Sequence, residues 1–374
     1  MHCTQWHWSP GQPSPRPDAD LVLAFGPRSL LADPAAFEAL RQQVPDAPIV
    51  GCSTGGEIAG ETVSDGSIAL SALRFERTRV RVEHQTAPAG VDSETVGRLL
   101  AARLPEYADD EPLCHVLTFA DGLALNGTRF VRGMESVLPA GVAVTGGLAA
   151  DDDRFERTPV WADGVVPEAG AVAVGLYGRH LRVGTGAVGG WRPFGPDRVV
   201  TRAEGNVLFE LDGRSALPLY KQYLGAHADA LPASGLLFPL GLRDENGGAD
   251  LVRTILAVDD DAGSITFAGD VPEGATSRLM MTNPEAIIGG ASDAAQAALS
   301  TLGTAPEFAL LVSCVGRRWV LHQRTEEEVE EAGTVLGHPA LAGFYSYGEL
   351  APSADGVCGA LHNQTMTITA MAEV

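Results

Sequence analysis

Basic residues are scarce in this chain. Only 26 of its 374 residues are Lys or Arg, against 48 Asp or Glu, which leaves a net charge of −22 with histidine neutral. That surplus repels phosphate backbones and anionic membrane surfaces, so neither nucleic acid nor a membrane is an expected partner. No apolar run approaches the roughly 20 residues of a membrane-spanning helix. The start, Met1-His2-Cys3-Thr4-Gln5-Trp6-His7-Trp8, lacks the basic-then-apolar order of a signal peptide. Cysteine is sparse, odd in number and widely spaced: Cys3, Cys52, Cys114, Cys314 and Cys358, with no C-x-x-C. A disulfide framework and a structural zinc are therefore not expected, and a reducing cytoplasm is the expected compartment. The nine histidines show no H-x-x-x-H spacing. What is present is 45% apolar residue with 20% charged, enough to bury the cores of about two domains.

One segment occurs twice. Gly51-Cys52-Ser53-Thr54-Gly55-Gly56-Glu57-Ile58-Ala59 follows the apolar run Ala47–Val50. Gly343-Phe344-Tyr345-Ser346-Tyr347-Gly348-Glu349-Leu350-Ala351 follows Leu341-Ala342 and aligns with it without a gap. In both, a buried strand is followed by a hydroxyl residue (Thr54 or Ser346), a glycine and a lone carboxylate. The repeat implies two related lobes, each presenting a Gly-Glu turn.

Most of the chain reads as strand, helix, strand with inserted hairpins. Strands are predicted at 21–25, 48–52, 67–75, 79–85, 113–119, 142–145, 171–177 and 181–185. Helices are predicted at 33–43, 92–104 and 126–138, each with an Asp or Asn at its start. A Gly/Pro/aromatic connector at 189–196 precedes a second half, with strands at 236–240, 251–258, 264–267, 277–282 and 308–315. Its helices are predicted at 214–224, 283–302 and 325–336, the last opened by a Thr325–Glu328 capping box. Glu326, Glu327, Glu328, Glu330 and Glu331 read as a solvated face. The predicted fold class is mixed α/β: two related lobes of mixed sheet flanked by helices. A proline-rich disordered leader is expected at 1–17, an N-terminal domain at 18–210 and a C-terminal domain at 211–374.

Two motifs are set aside. Gly51–Gly55 satisfies G-x-S-x-G, which leaves a hydrolase using Ser53 or Cys52 as an alternative. A nucleophile elbow runs into a helix, however, and Gly55, Gly56 and Gly60 oppose one. Gly184–Gly189 satisfies G-x-G-x-x-G, but Trp191, Pro193 and Pro196 forbid the helix that would hold a pyrophosphate. Two arginines are harder to dismiss. Arg253 sits inside the apolar strand 251–256, and Arg317 follows Ser313-Cys314-Val315-Gly316. A buried guanidinium needs a partner, either a ligand carboxylate or one of Glu57 and Glu349 as an ion pair between lobes.

These residues carry a resemblance. From about residue 20 onward the chain resembles the FIST sensory proteins, with their FIST N-terminal and FIST C-terminal domains. The N-terminal resemblance lies in Gly51–Ile58 and Gly146-Gly147-Leu148-Ala149-Ala150-Asp151-Asp152. The C-terminal one lies in Val252–Ile255, Ser313–Arg317, Gly343–Glu349 and His362–Thr367. It implies a cytoplasmic small-ligand sensor in signal transduction, with amino acids as the ligand class, and no enzyme activity. It implies no obligatory cofactor, although some members hold haem and sense nitric oxide, which is kept as an alternative. Because no kinase, cyclase or methyl-accepting segment follows Val374, the expected output partner is a separate signalling protein. The expected site lies between the lobes. Arg253 and Arg317 clamp a carboxylate, and Glu57 or Glu349 holds an ammonium group. Ser53, Thr54 and Ser346 supply hydrogen bonds, and Tyr345 or Tyr347 packs on the apolar part. Cys52 and Asn363, from the same motifs, stand beside them.

Overall fold

The structure, a computed structural model, describes residues 1–13, 15–88, 90–164, 169–243, 251–353 and 358–374. Three of its four sheets share one plan, which is cyclic. Each is built on a pair of parallel strands: Leu21–Gly26 with Ile49–Ser53, Glu111–Ala120 with Ala143–Leu148, and Phe308–Cys314 with Ala340–Ser346. These are near-continuous apolar runs, as expected of strands covered on both faces. An antiparallel strand flanks the first member of each pair: Ile68–Arg74, Gly170–Tyr177 and Met366–Glu373. A further antiparallel strand flanks that one in turn: His2–Trp8, Arg79–Thr86 and Leu181–Val188.

The other side of each pair is closed by a strand donated from the next unit. Chain leaving Ile49–Ser53 crosses to pair Glu57–Ala59 with Ala340–Ser346. Chain leaving Ala340–Ser346 crosses to pair Gly348–Ala351 with Ala143–Leu148. Chain leaving Ala143–Leu148 crosses to pair Val160–Ala162 with Ile49–Ser53. The twofold repeat of the sequence is thus two members of a threefold set. The third, around Gly146-Gly147, hides because a longer loop replaces its Gly-Glu turn.

The three sheets meet on one apolar core. Phe25, Phe119 and Phe344, one from each sheet, contact each other at ring separations of 5.3, 4.6 and 5.8 Å. Gly51, Gly146 and Gly343 hold equivalent register positions opposite Ala24, Thr118 and Leu311. At each, an added Cβ would overlap the carbonyl oxygen of that opposing residue. The fourth sheet belongs to the second half and spans strands between Arg192 and Met281, around its own core of Leu208, Tyr220, Ile265 and Phe267.

Several predicted elements form as expected. Asn283 caps the helix Pro284–Leu302, accepting from the Ala286 amide at 2.9 Å. Asp92 and Asn126 cap helices at Ser93–Ala101 and Gly127–Glu135. Others differ. The disordered leader expected at 1–17 is instead a strand at His2–Trp8, paired along its length with Ile68–Arg74, and Trp8 is fully buried. Its stability comes from that partner, which a local reading of a polar, Pro-flanked segment does not contain; residue 14 lies outside the described residues. The strand expected at 236–240 is a 3-10 turn at Ala233–Leu237 followed by a strand at Leu240–Arg243. The connector at 189–196 runs into the strand Arg192–Glu204. Residues 315–321 form a helix, where the strand was expected to run to 315 and no helix was predicted. The capping box does not form: Arg324 is the N-cap residue of Thr325–Leu336, and Thr325 donates back to the His322 carbonyl at 2.5 Å.

Candidate functional site

The first crossing, residues 54–57, makes a tight turn. The Thr54 hydroxyl donates to Glu57 Oε1 at 2.7 Å, and the Gly56 amide donates to Thr54 Oγ1 at 3.3 Å. The Gly55 amide donates to the Tyr345 carbonyl at 2.8 Å, and the Tyr345 amide to the Gly56 carbonyl at 2.9 Å, which ties the turn to the third sheet. Glu57 is 1% exposed, and its Oε2 has no hydrogen-bond partner among the described residues. Burial pushes its pKa up to about 8, against the Thr54 hydrogen bond, which pulls it down. A carboxyl group with one buried, unsatisfied oxygen is costly unless something supplies the missing partner.

That carboxyl borders a cleft of about 780 Å³. Pro27, Arg28 and Ser29 wall it from the first unit, and Asp65 and Gly66 from the turn after Thr62–Ser64. Asp152 and Arg154 come from the 151–159 loop; Arg318, Trp319 and His322 come from the helix at 315–321 and its end. Asp151 organises the loop: it accepts the amides of Phe155, Glu156 and Arg157 at 2.9–3.0 Å and the Tyr347 hydroxyl at 2.5 Å. Trp319 Nε1 donates to Asp152 Oδ1 at 3.3 Å, and burial raises the Asp152 pKa. Acids and guanidinium groups thus face each other across a space of small-ligand size.

The second Gly-Glu turn is closed. Ser346 Oγ donates to Glu349 Oε1 at 2.7 Å, the same geometry as Thr54 with Glu57. Glu349 Oε2, however, accepts the Thr365 amide and hydroxyl at 3.0 and 2.9 Å, so both oxygens are satisfied. Beside it Asn363 donates to the Tyr347 carbonyl at 3.2 Å, and Gln364 donates to the Leu236 carbonyl at 3.2 Å. The 3-10 turn Ala233–Leu237 packs beside this turn, on Gln364 and on the helix at 315–321.

The expected clamp arginines are elsewhere. Arg317 is fully buried and pairs with Glu328 at 3.0 and 2.7 Å, also donating to the carbonyls of Gly189 and Ile287. Glu328 accepts Ser313 Oγ at 2.9 Å and Tyr345 OH at 2.8 Å with its other oxygen. So Glu328 does not lie on a solvated face, and the ion pair expected with Glu57 or Glu349 is made with Glu328. Arg253 is buried on the carbonyls of Asp270 and Val252 at 3.0 and 3.2 Å. Cys52 lies in the central apolar core, where burial raises its thiol pKa. Ser53 Oγ is buried with no hydrogen-bond partner among the described residues, and the strand that Ser53 ends is followed by the strand Glu57–Ala59. Of the ten expected site residues, only Thr54 and Glu57 line the cleft. The Tyr345 ring lies under the guanidinium of Arg318, while Ser346, Glu349 and Asn363 belong to the closed second turn.

Arg28, Asp65, Asp152, Arg318, Trp319 and His322 line the cleft without having been among the expected site residues. A usable signal was the pair Arg317-Arg318: on a helix, neighbours point about 100° apart, so one buried arginine leaves the next for another face. Among the described residues no group of three His, Cys, Asp or Glu is arranged to hold a metal ion, and no helix is long and apolar enough to cross a membrane.

The buried acids make stability pH-dependent. Glu57 and Glu349, with pKa raised to about 8 and about 7, keep protons in the fold where the unfolded chain has released them. Stability therefore falls as pH rises between about 4.5 and about 8. Buried His115, its pKa pushed down to about 3 by burial, acts oppositely up to its unfolded value of about 6.5. Above that, the acids dominate. Urea midpoints should fall from pH 6.5 to 8 in the wild type, and Glu57→Gln should flatten the segment between pH 7 and 8. An unchanged slope would show that Glu57 is ionised in the fold.

The fold and the cleft define a mixed α/β protein with a ligand-sized, charge-lined pocket at a crossing between its sheets. Residues 20–214 match the FIST N domain and residues 216–352 the FIST C domain, so the chain belongs to the FIST family of sensory domains. It is 26% identical over 337 residues to an uncharacterized protein of Mycobacterium tuberculosis, covering 88% of this chain and 85% of that one. An uncharacterized protein of Mycobacterium bovis is 26% identical over 348 residues, covering 89% and 85%. An uncharacterized protein of Methanocaldococcus jannaschii is 26% identical over 276 residues, covering 67% of this chain and 51% of that protein.

Proposed function

We propose that this chain is a cytoplasmic small-ligand sensor. Its Glu57 cleft takes an amino acid or a similar small zwitterion, and a separate signalling protein, such as a kinase or cyclase, reads the occupied state. The observation that carries this reading is the unpartnered, buried Glu57 Oε2 beside a cleft that holds both carboxylates and guanidinium groups. The ligand's ammonium group takes the place of the Glu57 proton, which binding releases, and donates to Glu57 and Asp152, and Trp319 covers its apolar part. Occupation joins parts of all three units: the 54–57 turn, the 151–159 loop and the helix at 315–321. A ligand that binds them together stabilises one relative placement, which is what a partner can recognise.

A thermal-shift panel of free amino acids, small carboxylates and haemin tests it. A ligand at 100 times its Kd adds about 2.7 kcal/mol, a shift of a few degrees. The expected result is a hit among amino acids that disappears in Glu57→Gln while the variant melts as one transition. A shift with haemin alone would replace this reading with a haem sensor. A hit that persists undiminished in Glu57→Gln would move the ligand out of this cleft.

A further inference from the structure

The Arg318 guanidinium is held on three sides. It donates to the Gly55 carbonyl, its carbon lies 5.7 Å from the centroid of the Tyr345 ring, and it lies against Gly56. A Cβ at Gly56 would come within 2.7 Å of Arg318 Nη1, so the turn leaves room for this side chain. Its Nη1–Nη2 edge is taken by Asp65, which accepts two hydrogen bonds at 2.9 and 2.6 Å. The partners are unequal. The Asp65 side chain is 65% exposed, sits on a turn, and has only these side-chain hydrogen bonds among the described residues. The Arg318 side chain is 21% exposed and stays anchored without it.

We infer that Asp65 is a built-in stand-in for the ligand: Arg318 is the carboxylate-binding residue of the cleft, and a ligand carboxylate binds by displacing Asp65 from its fork. This rests on the reading that the cleft binds a small zwitterion, and it names the residue that reads the acid group. A guanidinium edge holds one carboxylate in bidentate geometry, so Asp65 and ligand exclude one another there. Exchange is accessible because a half-exposed pair of this kind is weak. It also gives binding a structural consequence, since the turn at Asp65-Gly66 loses its tie to the helix. That turn follows Thr62–Ser64, the edge strand paired antiparallel with Glu57–Ala59, whose Val63 amide also donates to Glu326 at 3.1 Å.

The test is calorimetric titration of the twenty common L-amino acids, each alone, into the full chain and its Asp65→Asn, Asp153→Asn, Arg318→Lys and Glu57→Gln variants. The carboxamide of any amino acid that binds is included. Removing the internal competitor should tighten binding about fivefold in Asp65→Asn. Asp153→Asn, an equal charge change at an exposed residue of the neighbouring loop, should give no comparable tightening. Arg318→Lys should weaken binding at least about tenfold, because a lysine cannot make the fork. The carboxamide should gain nothing from Asp65→Asn. Amide hydrogen exchange at 62–66 should quicken in Asp65→Asn and in the liganded wild type alike. Equal affinities of the wild type and Asp65→Asn, with binding lost in Glu57→Gln, would overturn the exchange and leave the cleft reading standing. Equal gains in Asp65→Asn and Asp153→Asn would reduce the effect to bulk charge and overturn it too. No binding by any amino acid to any variant would overturn both.

Discussion

Glu328→Ala is expected to lose about 3–5 kcal/mol of stability, measured as a fall in the urea midpoint at pH 7. Glu328 and Arg317 are both fully buried, and the carboxylate takes every polar group that faces it: the guanidinium, Ser313 and Tyr345. Removing it strands a positive charge and two hydroxyls in a dry interior, and the stranded charge dominates the loss. Arg317→Met in the same background should restore much of the stability, since it removes the charge that Glu328 neutralised. Glu330→Ala, at an exposed position on the same helix, should change stability by no more than about 0.5 kcal/mol. If Glu328→Ala proved as mild as Glu330→Ala, the pair would have to be solvated in solution.

Gly51→Ala is expected to cost about 3 kcal/mol or more, with Gly146→Ala and Gly343→Ala close behind. Each glycine lets two parallel strands approach where a methyl group would overlap a backbone carbonyl, which cannot swing away as a side chain could. The strands would have to separate beside the triple contact of Phe25, Phe119 and Phe344, so each alanine disturbs the core that all three sheets share. Gly60→Ala is a useful contrast: nothing lies within 4 Å of its added Cβ, so it pays only for its positive φ. Chemical denaturation of the four variants ranks them. A cost at Gly51 no larger than at Gly60 would contradict the close approach.

The two Gly-Glu turns behave differently although they repeat the same residues. Thr54 with Glu57 and Ser346 with Glu349 have the same internal geometry, because a hydroxyl three residues before a carboxylate closes a local hydrogen bond. Their surroundings differ. Thr365 satisfies the second oxygen of Glu349, whereas that of Glu57 has no partner among the described residues and its side chain lines the cleft. A repeat in sequence therefore located both sites, and their contacts decided which one remained open.

Local information determined much of this protein by itself. Apolar runs bounded by glycine placed the buried parallel strands, and Asp92, Asn126 and Asn283 placed helix starts, because capping and hydrophobic periodicity act within a few residues. The repeated hydroxyl-Gly-Glu pattern picked out Glu57, the one expected carboxylate that lines the cleft. What only the tertiary structure decided were pairings across long stretches of chain: the strand at His2–Trp8, the Arg317–Glu328 pair in place of a ligand clamp, and the meeting of Arg28, Asp65, Asp152 and Arg318. A buried charge declares that it needs a partner, but the partner's identity is set by which surfaces the three interlocked sheets bring together.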